Sequence, residues 1–485
     1  MNSQANLIGG EWSAGTPTPN VNPSDLSDVV GHYDHASEGQ VRCALAAARD
    51  AFRSWSTSSV GTRAELLERV AREISARQEE LADLLAREEG KALADARKEV
   101  VRASQIFSFF AAEVYRIRGE KLPSLRPDVG VEITREPIGV VALVTPWNFP
   151  LAIPAWKIAP ALAYGNTVVF KPAESTPASA WVLAEIIHRA GAPAGVFNLV
   201  MGRGDVLSDA LCGPGIAAIS FTGSARVGHD ILFKASAHGA RVQLEMGGKN
   251  AFVVLNDARL DLAVRCALDG AFFSTGQRCT ASSRLIVEEG IHDAFLEALI
   301  AAMGRERVGD ARDPSTTIGP VASERQLEID LDYIAVAQGE GATLVKGGER
   351  LARDTDGYFL SPALFADSES GMRINQEEVF GPVASIIKAA DFEDALAIAN
   401  DVPFGLCAGI ATNSLRHATE FQRRAEAGMV MVNLATAGVD HHVPFGGRKQ
   451  SSYGPREQGT YAAEFYTAVK TAYVNADPEK ADAAR

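Results

Sequence analysis

Cys279, Glu245 and Asn148 have side chains and local sequences suited to carbonyl chemistry. Cys279 closes the run Phe272-Phe273-Ser274-Thr275-Gly276-Gln277-Arg278-Cys279, small and polar after an aromatic pair. The neighbouring cation, Arg278, would favour the thiolate, the nucleophilic form of cysteine. The plain alternative is a buried small apolar residue, and Cys43, Cys212, Cys266 and Cys407 are read that way. Glu245 enters a Gly-Gly turn in Leu244-Glu245-Met246-Gly247-Gly248-Lys249-Asn250. It could be a general base or an ion-paired turn residue. Asn148, in Pro146-Trp147-Asn148-Phe149-Pro150, offers an amide donor on a stiff turn. It could hold an oxyanion or brace its own loop.

Two further strings could bind a nucleotide. Phe221-Thr222-Gly223-Ser224 stands between an apolar run and a helical pattern. Its backbone amides and the Ser224 hydroxyl could hold a pyrophosphate at a helix N-terminus, although Gly-Ser there is also an ordinary cap. Lys171-Pro172-Ala173-Glu174 follows another apolar run, and its Lys and Glu could bracket a ribose or form a surface turn. No GxGxxG occurs, and Gly202-Arg203-Gly204 lacks the third glycine.

These strings fall at the ends of a regular pattern of elements. Residues 62–117 read as helix, with Leu66, Val70 and Ile74, then Leu81 and Leu85, repeating at i+4. Residues 119–137 lose that period, and Pro123 and Pro127 mark an extended or linking segment. Short apolar runs then alternate with helical stretches: Ile138–Val144, Thr167–Phe170, Val196–Val200 and Ala217–Phe221. A second series runs through Ala251–Leu255, Arg284–Val287, Ala342–Lys346, Ala384–Ile387 and Val430–Val432. Strand alternating with helix predicts parallel sheets, and so two α/β domains in tandem.

Composition narrows the function. The 485 residues carry 47 Lys and Arg against 61 Asp and Glu, a net charge of −14. Such a chain repels a phosphate backbone or an anionic bilayer, which argues against nucleic-acid and membrane partners. Five cysteines with no CxxC spacing indicate reduced thiols, not a disulfide framework or a metal site. The start lacks a basic then apolar leader, and no apolar run is long enough to span a bilayer, so a cytoplasmic location is expected.

Taken in order, the motifs PWNFP, KPAEST, FTGSARVG, LEMGGKN, FSTGQRCTASSR, EEVFGP and PFGGRKQSSYG resemble the aldehyde dehydrogenase superfamily over nearly the whole chain. The stretch from Val432 is most similar to α-ketoglutarate semialdehyde (2,5-dioxopentanoate) dehydrogenases. The resemblance implies a Rossmann-like cofactor domain (1–118 and 138–247) and a catalytic domain (248–447). Bridging or oligomerisation segments would be 119–137 and 448–475, with a frayed tail at 476–485. It also implies NAD(P)-dependent oxidation of an aldehyde through a thioester on Cys279, with NAD favoured and NADP possible. Asn148 would hold the oxyanion, Glu245 would activate water, and Lys157 would take part in proton relay. Trp147, Lys171, Glu174, Thr222, Gly223, Ser224, Glu378 and Phe380 would contact the cofactor. Phe149, Ile153, Trp156 and Phe273 would wall a substrate tunnel that Arg278, His441 and His442 could make selective for a carboxylated aldehyde. Succinate semialdehyde or a neutral aldehyde are the alternative substrates, and a homodimer or homotetramer is expected.

The chain departs from the family pattern in three places. The usual Gly-Ser-Thr reads Gly223-Ser224-Ala225, and the usual Ser-Gly reads Ser451-Ser452. Thr460 stands where many members carry a second glutamate, so Glu245 is expected to act largely alone. A CoA-acylating enzyme would not need Glu245. A thiol esterase would not need the cofactor residues, and a catalytically silent binding protein would need neither set.

Overall fold

The computed structural model describes residues 3–476, so all of the expected frayed tail except Ala476 lies outside the described residues. An eight-stranded sheet has five parallel strands at its centre: Phe197–Leu199, Thr167–Lys171, Val140–Val144, Ala218–Thr222 and Arg241–Glu245, in that spatial order. Antiparallel strands flank them, with Asn6–Ile8 and Glu11–Ser13 on one side and Ser452–Tyr453 on the other. A seven-stranded sheet follows the order Thr343–Lys346, Ala363–Ala366, Val383–Ala389, Arg284–Glu288, Ala251–Val254, Cys407–Ala411, Met429–Val432. It is parallel apart from its first strand. Strands buried on both faces need apolar side chains throughout, which is why Val140–Val144 and Ala251–Val254 read as apolar runs.

The segment 119–137 is extended as expected. Its strands Glu120–Pro123 and Val129–Pro137 join Thr467–Asn475 in a three-stranded antiparallel sheet. The long helix expected over 62–117 is broken into Val60–Ala76, Gln78–Glu89 and Leu93–Glu113. Gly90, at φ 91°, ends the second of these in the left-handed conformation that favours glycine.

One buried helix sets the geometry of the site. All twelve residues of Ala152–Ala163 are buried, and the helix packs on the sheet and on the helix Leu93–Glu113. Its first amides have no intrahelical acceptor. The Glu99 carboxylate accepts from Leu151 N (2.9 Å) and Ala152 N (3.0 Å), and it is itself paired with buried Lys91 at 2.5 Å. Lys91 Nζ also donates to Asn148 O at 2.6 Å. The stiff turn carrying Asn148 is thus tied to a buried ion pair between the helix Leu93–Glu113 and the link that precedes it.

Candidate active site

The cleft lies between the carboxyl ends of the first sheet's strands and the amino ends of the second sheet's. Trp147 and Asn148 follow the strand Val140–Val144, and Lys171 ends Thr167–Lys171. Thr222 ends Ala218–Thr222, and Glu245 ends Arg241–Glu245. From the other side, Cys279 precedes Arg284–Glu288, and Glu378 and Phe380 precede Val383–Ala389. Ligands gather at such strand ends because successive loops splay apart there.

The Cys279 loop is unusually constrained. Ser274, Thr275 and Gly276 have φ of 49°, 58° and 65°, three consecutive residues in the left-handed region. Ser274 and Thr275 have a Cβ that is strained there. A Cβ on Gly276 would come within 2.2 Å of Gly381 O. Asn250 Nδ2 clamps the loop by donating to Cys279 O (2.8 Å) and Ala281 O (2.9 Å). Asn148 Nδ2 donates to Gln277 O at 3.0 Å, so its amide stands beside the Cys279 loop.

Electrostatics at Cys279 differ from the sequence expectation. Burial pushes the thiol up to about 12, and Glu378 and Glu245 add to that; Arg278 opposes them without prevailing. At this sulfur burial outweighs the neighbouring cation. Arg278 is otherwise engaged. Its Nη2 donates to Asp269 O and, at 3.2 Å, to Gly270 O, and its guanidinium lies 4.9 Å from the Phe273 ring centroid. Its Nε is buried without a partner.

Glu245 is buried and held well above the usual carboxylate range. Desolvation is the main cause, with the charge of Glu457 next. The expectation that Glu245 stands without a second carboxylate is therefore corrected. Thr460 is exposed, but Glu457 lies buried beside the site. Glu457 Oε1 is ion-paired with Lys157 Nζ, which also donates to Ser220 Oγ at 2.7 Å. Reciprocal backbone hydrogen bonds between Glu457 and Phe445 hold that segment against the PFGG turn.

The substrate cleft, about 330 Å³, is lined by Phe149, Ile153, Trp156, Phe273, Arg278, Cys279 and His441 among others. His442 is not one of them. It is exposed, and only its neighbour His441 turns inward, edge-on to Phe109. The His442 ring packs edge-on against His441 at 5.5 Å, on its solvent side. Arg102, unremarked in the sequence, does line it, donating to Val439 O and to Gln458 Oε1 (3.0 Å). Among the described residues no carboxylate oxygen lies within 4 Å of an Arg102 or Arg278 nitrogen.

The residues expected to contact a dinucleotide stand at or just after the strand ends and on the loops facing them. Ser224 occupies the N-cap position of the helix Ala225–Ser236, but its hydroxyl does not cap that helix. Thr222 Oγ1 is buried without a partner. Lys171 is buried, donates to Pro172 O at 2.7 Å, and is brought down to about 8 by desolvation, with exposed Glu174 opposing. Trp147 and Phe380 meet edge to face at 5.5 Å, and Glu378 Oε1 accepts from Gly248 N at 2.8 Å. A free hydroxyl at a helix N-terminus, an orphaned hydroxyl and a buried cation fit the phosphates and ribose of a dinucleotide. Among the described residues no group of three His, Cys, Asp or Glu is gathered as a metal would need.

Comparison with known proteins agrees with the fold. The profile of the aldehyde dehydrogenase family matches residues 12–472, and the chain belongs to that family. It is 43% identical over 480 residues to an α-ketoglutaric semialdehyde dehydrogenase of Bacillus subtilis, covering 98% of each chain. It is 42% identical to an α-ketoglutarate semialdehyde dehydrogenase of Haloferax volcanii, covering 96% of this chain and 98% of that one. Among solved structures, a betaine aldehyde dehydrogenase of Staphylococcus aureus in complex with NAD+ superposes with a TM-score of 0.95. It is 34% identical, and the match covers 98% of this chain and 96% of that one.

Proposed function

We propose that this chain oxidises a carboxylated aldehyde, α-ketoglutarate semialdehyde in the first instance, to its acid with NAD as oxidant. The observation that carries the reading is that the Asn148 amide donates to the Cys279 loop and that buried Glu245 lies close enough to act on the Cys279 thiol. The names of the similar enzymes support the substrate, and so do two cleft arginines that lack a carboxylate partner.

Cys279 Sγ forms the bond to the aldehyde carbon as the carbonyl π pair moves onto the oxygen, and the thiol proton passes to solvent water. The oxyanion is held by the Asn148 amide and the Cys279 N–H, donors aimed where charge develops. A bound nicotinamide dinucleotide supplies one piece of chemistry, the acceptance of a hydride from that carbon. Glu245 then takes a proton from the water that attacks the thioester, a general-base step that its raised affinity for protons favours. Lys157 and Glu457 carry protons near that base.

The cofactor unit is taken as 1–118 with 138–247, the catalytic unit as 248–447, and the remaining strands as bridging segments. Leu122, Val469 and Tyr473 are exposed on the three-stranded sheet, which supports a homodimer or homotetramer. No helix among the described residues is long and apolar enough to cross a membrane. The described cysteines are all free, which supports a cytoplasmic location.

The deciding experiment is an initial-rate panel of semialdehydes and neutral aldehydes with NAD and NADP in parallel. Two results are expected, a higher kcat/KM for the semialdehyde than for neutral aldehydes and a preference for NAD. NAD should give the higher kcat/KM, because the Glu174 carboxylate would accept from ribose hydroxyls and repel a 2′-phosphate. Like charges about 4 Å apart in water repel by about 1 kcal/mol, so a bias of roughly several-fold is expected. A higher kcat/KM with NADP would refute the assignment of Glu174.

Arg278→Ala and Arg102→Ala should each lower kcat/KM more for the semialdehyde than for a neutral aldehyde of similar length. Loss of a charge-assisted contact costs about 1.5–3 kcal/mol. An equal loss on both substrates in Arg278→Ala would show that its bonds to Asp269 and Gly270 brace the Cys279 loop and nothing more.

A further inference from the structure

At Ser452, two hydrogen bonds meet on one hydroxyl. Gly447 N–H can only donate, and it lies 2.6 Å from Ser452 Oγ, occupying one of its lone pairs. The hydroxyl proton is directed to Glu245 Oε2, also 2.6 Å away. Backbone register sets this contact, because Ser452 sits directly opposite Glu245 where Ser452–Tyr453 pairs antiparallel with Arg241–Glu245. The turn before it is held on two sides. Ser451 Oγ donates to Gly247 O at 2.8 Å, and Arg456 Nη1 donates to Gly447 O. A Cβ on Gly446 would come within 2.8 Å of Glu245 Oε1, so the other carboxylate oxygen is crowded by the same turn.

The groups facing Glu245 are few. Glu457 and Arg456 come from the segment after Ser452, Lys157 from the helix Ala152–Ala163, and Cys279 from across the cleft. Glu457 raises the cost of ionising Glu245, while Lys157 and Arg456 offset it in part from a distance. Ser452 is the group that opposes Glu457 by direct contact with the Glu245 carboxylate.

We propose that Ser452, at a position where the family commonly has glycine, is a positioning residue that orients Glu245 and keeps it available as a carboxylate beside Glu457. This rests on the reading of Glu245 as the base of thioester hydrolysis. A glycine there has no hydroxyl to give, so an enzyme with Ser-Gly must orient its base by other means. Hydrogen bonding to the charged form of a carboxyl lowers its proton affinity, and that is the sense of the Ser452 contact here.

The test is the pH profile of thioester hydrolysis, followed by rapid quench after a single turnover with NAD and a semialdehyde, from about pH 5 to 9. In Ser452→Ala the acid limb should move up by about one pH unit. Hydrolysis would then be roughly tenfold slower on the acid side and match wild type on the alkaline plateau. The hydride burst should keep its amplitude, and Ser452→Thr, which retains a hydroxyl, should restore the wild-type limb. An unmoved limb in Ser452→Ala would overturn the proposal. So would a fall of equal size at every pH that Ser452→Thr does not rescue, because that is the mark of a packing defect. Glu245→Gln separates the two readings. If it hydrolyses the thioester with a wild-type profile, Glu245 is not the base and Ser452 has nothing to position. If it stalls while the Ser452→Ala limb stays in place, only the role of Ser452 fails.

Discussion

Replacing Cys279 with Ala is expected to abolish aldehyde oxidation, with a loss on the order of 10⁴-fold or more in kcat, while NAD binding is unchanged. The size of the effect follows from the covalent route. Without a nucleophile on the carbon there is no tetrahedral adduct for the Asn148 amide to stabilise, so two contributions are lost together. Lys171 and Ser224, expected to contact the dinucleotide, stand on other loops. Titration of NAD binding against the variant is therefore the control that separates lost chemistry from a lost fold. Cys279→Ser should fall nearly as far. Its hydroxyl gives up its proton less readily than the thiol, which burial already pushes up to about 12. Full activity in either variant would remove the thioester route.

That thiol marks where reading the sequence stopped short. The Phe272–Cys279 run, small and polar after an aromatic pair, made Cys279 the candidate nucleophile. The same run suggested that Arg278 favours the thiolate, and it does pull the thiol down, but burial outweighs it. Adjacency in sequence says nothing about burial, nor about Glu378 and Glu245 converging on the sulfur from other loops. Strands were legible where an apolar run lies between turn residues, as in Val140–Val144 and Arg284–Glu288. They were not legible in Ala363–Ala366 or Cys407–Ala411, where Ala and Gly carry no β signal and burial comes from the sheet around them.

Partners brought together across the fold were also invisible. Glu457 reaches Lys157, Glu99 caps the helix Ala152–Ala163, and Arg102 enters the cleft from the helix Leu93–Glu113. Each is an ordinary charged residue in its local string, and only topology makes it part of the site. Cys43 errs in the opposite direction. Grouped with the buried cysteines, it is exposed. On the helix Glu38–Trp55 the inward positions are Val41, Ala44, Leu45 and Ala48, and position 43 falls on the opposite face.

Glu245→Gln is expected to uncouple the two halves of the reaction. Bond formation from Cys279 and loss of hydride leave a thioester, and only its hydrolysis needs a base to take a proton from water. Rapid mixing with excess aldehyde and NAD should therefore show a burst of about one equivalent of NADH per active site. Turnover should then be slower than wild type by roughly 10²- to 10⁴-fold. The amide keeps the size of the carboxyl, and with it the contact with Ser452 and the packing against Gly446. What the variant lacks is the ability to accept a proton. Glu457 does not substitute for it, because Lys157 and Ser220 already engage its Oε1 away from the thioester. The competing outcome is equally readable. If no burst appears and every turnover is slow, Glu245 is needed before hydride transfer, as the acceptor of the thiol proton that Cys279 must lose. A steady-state rate equal to wild type would remove Glu245 from the chemistry altogether.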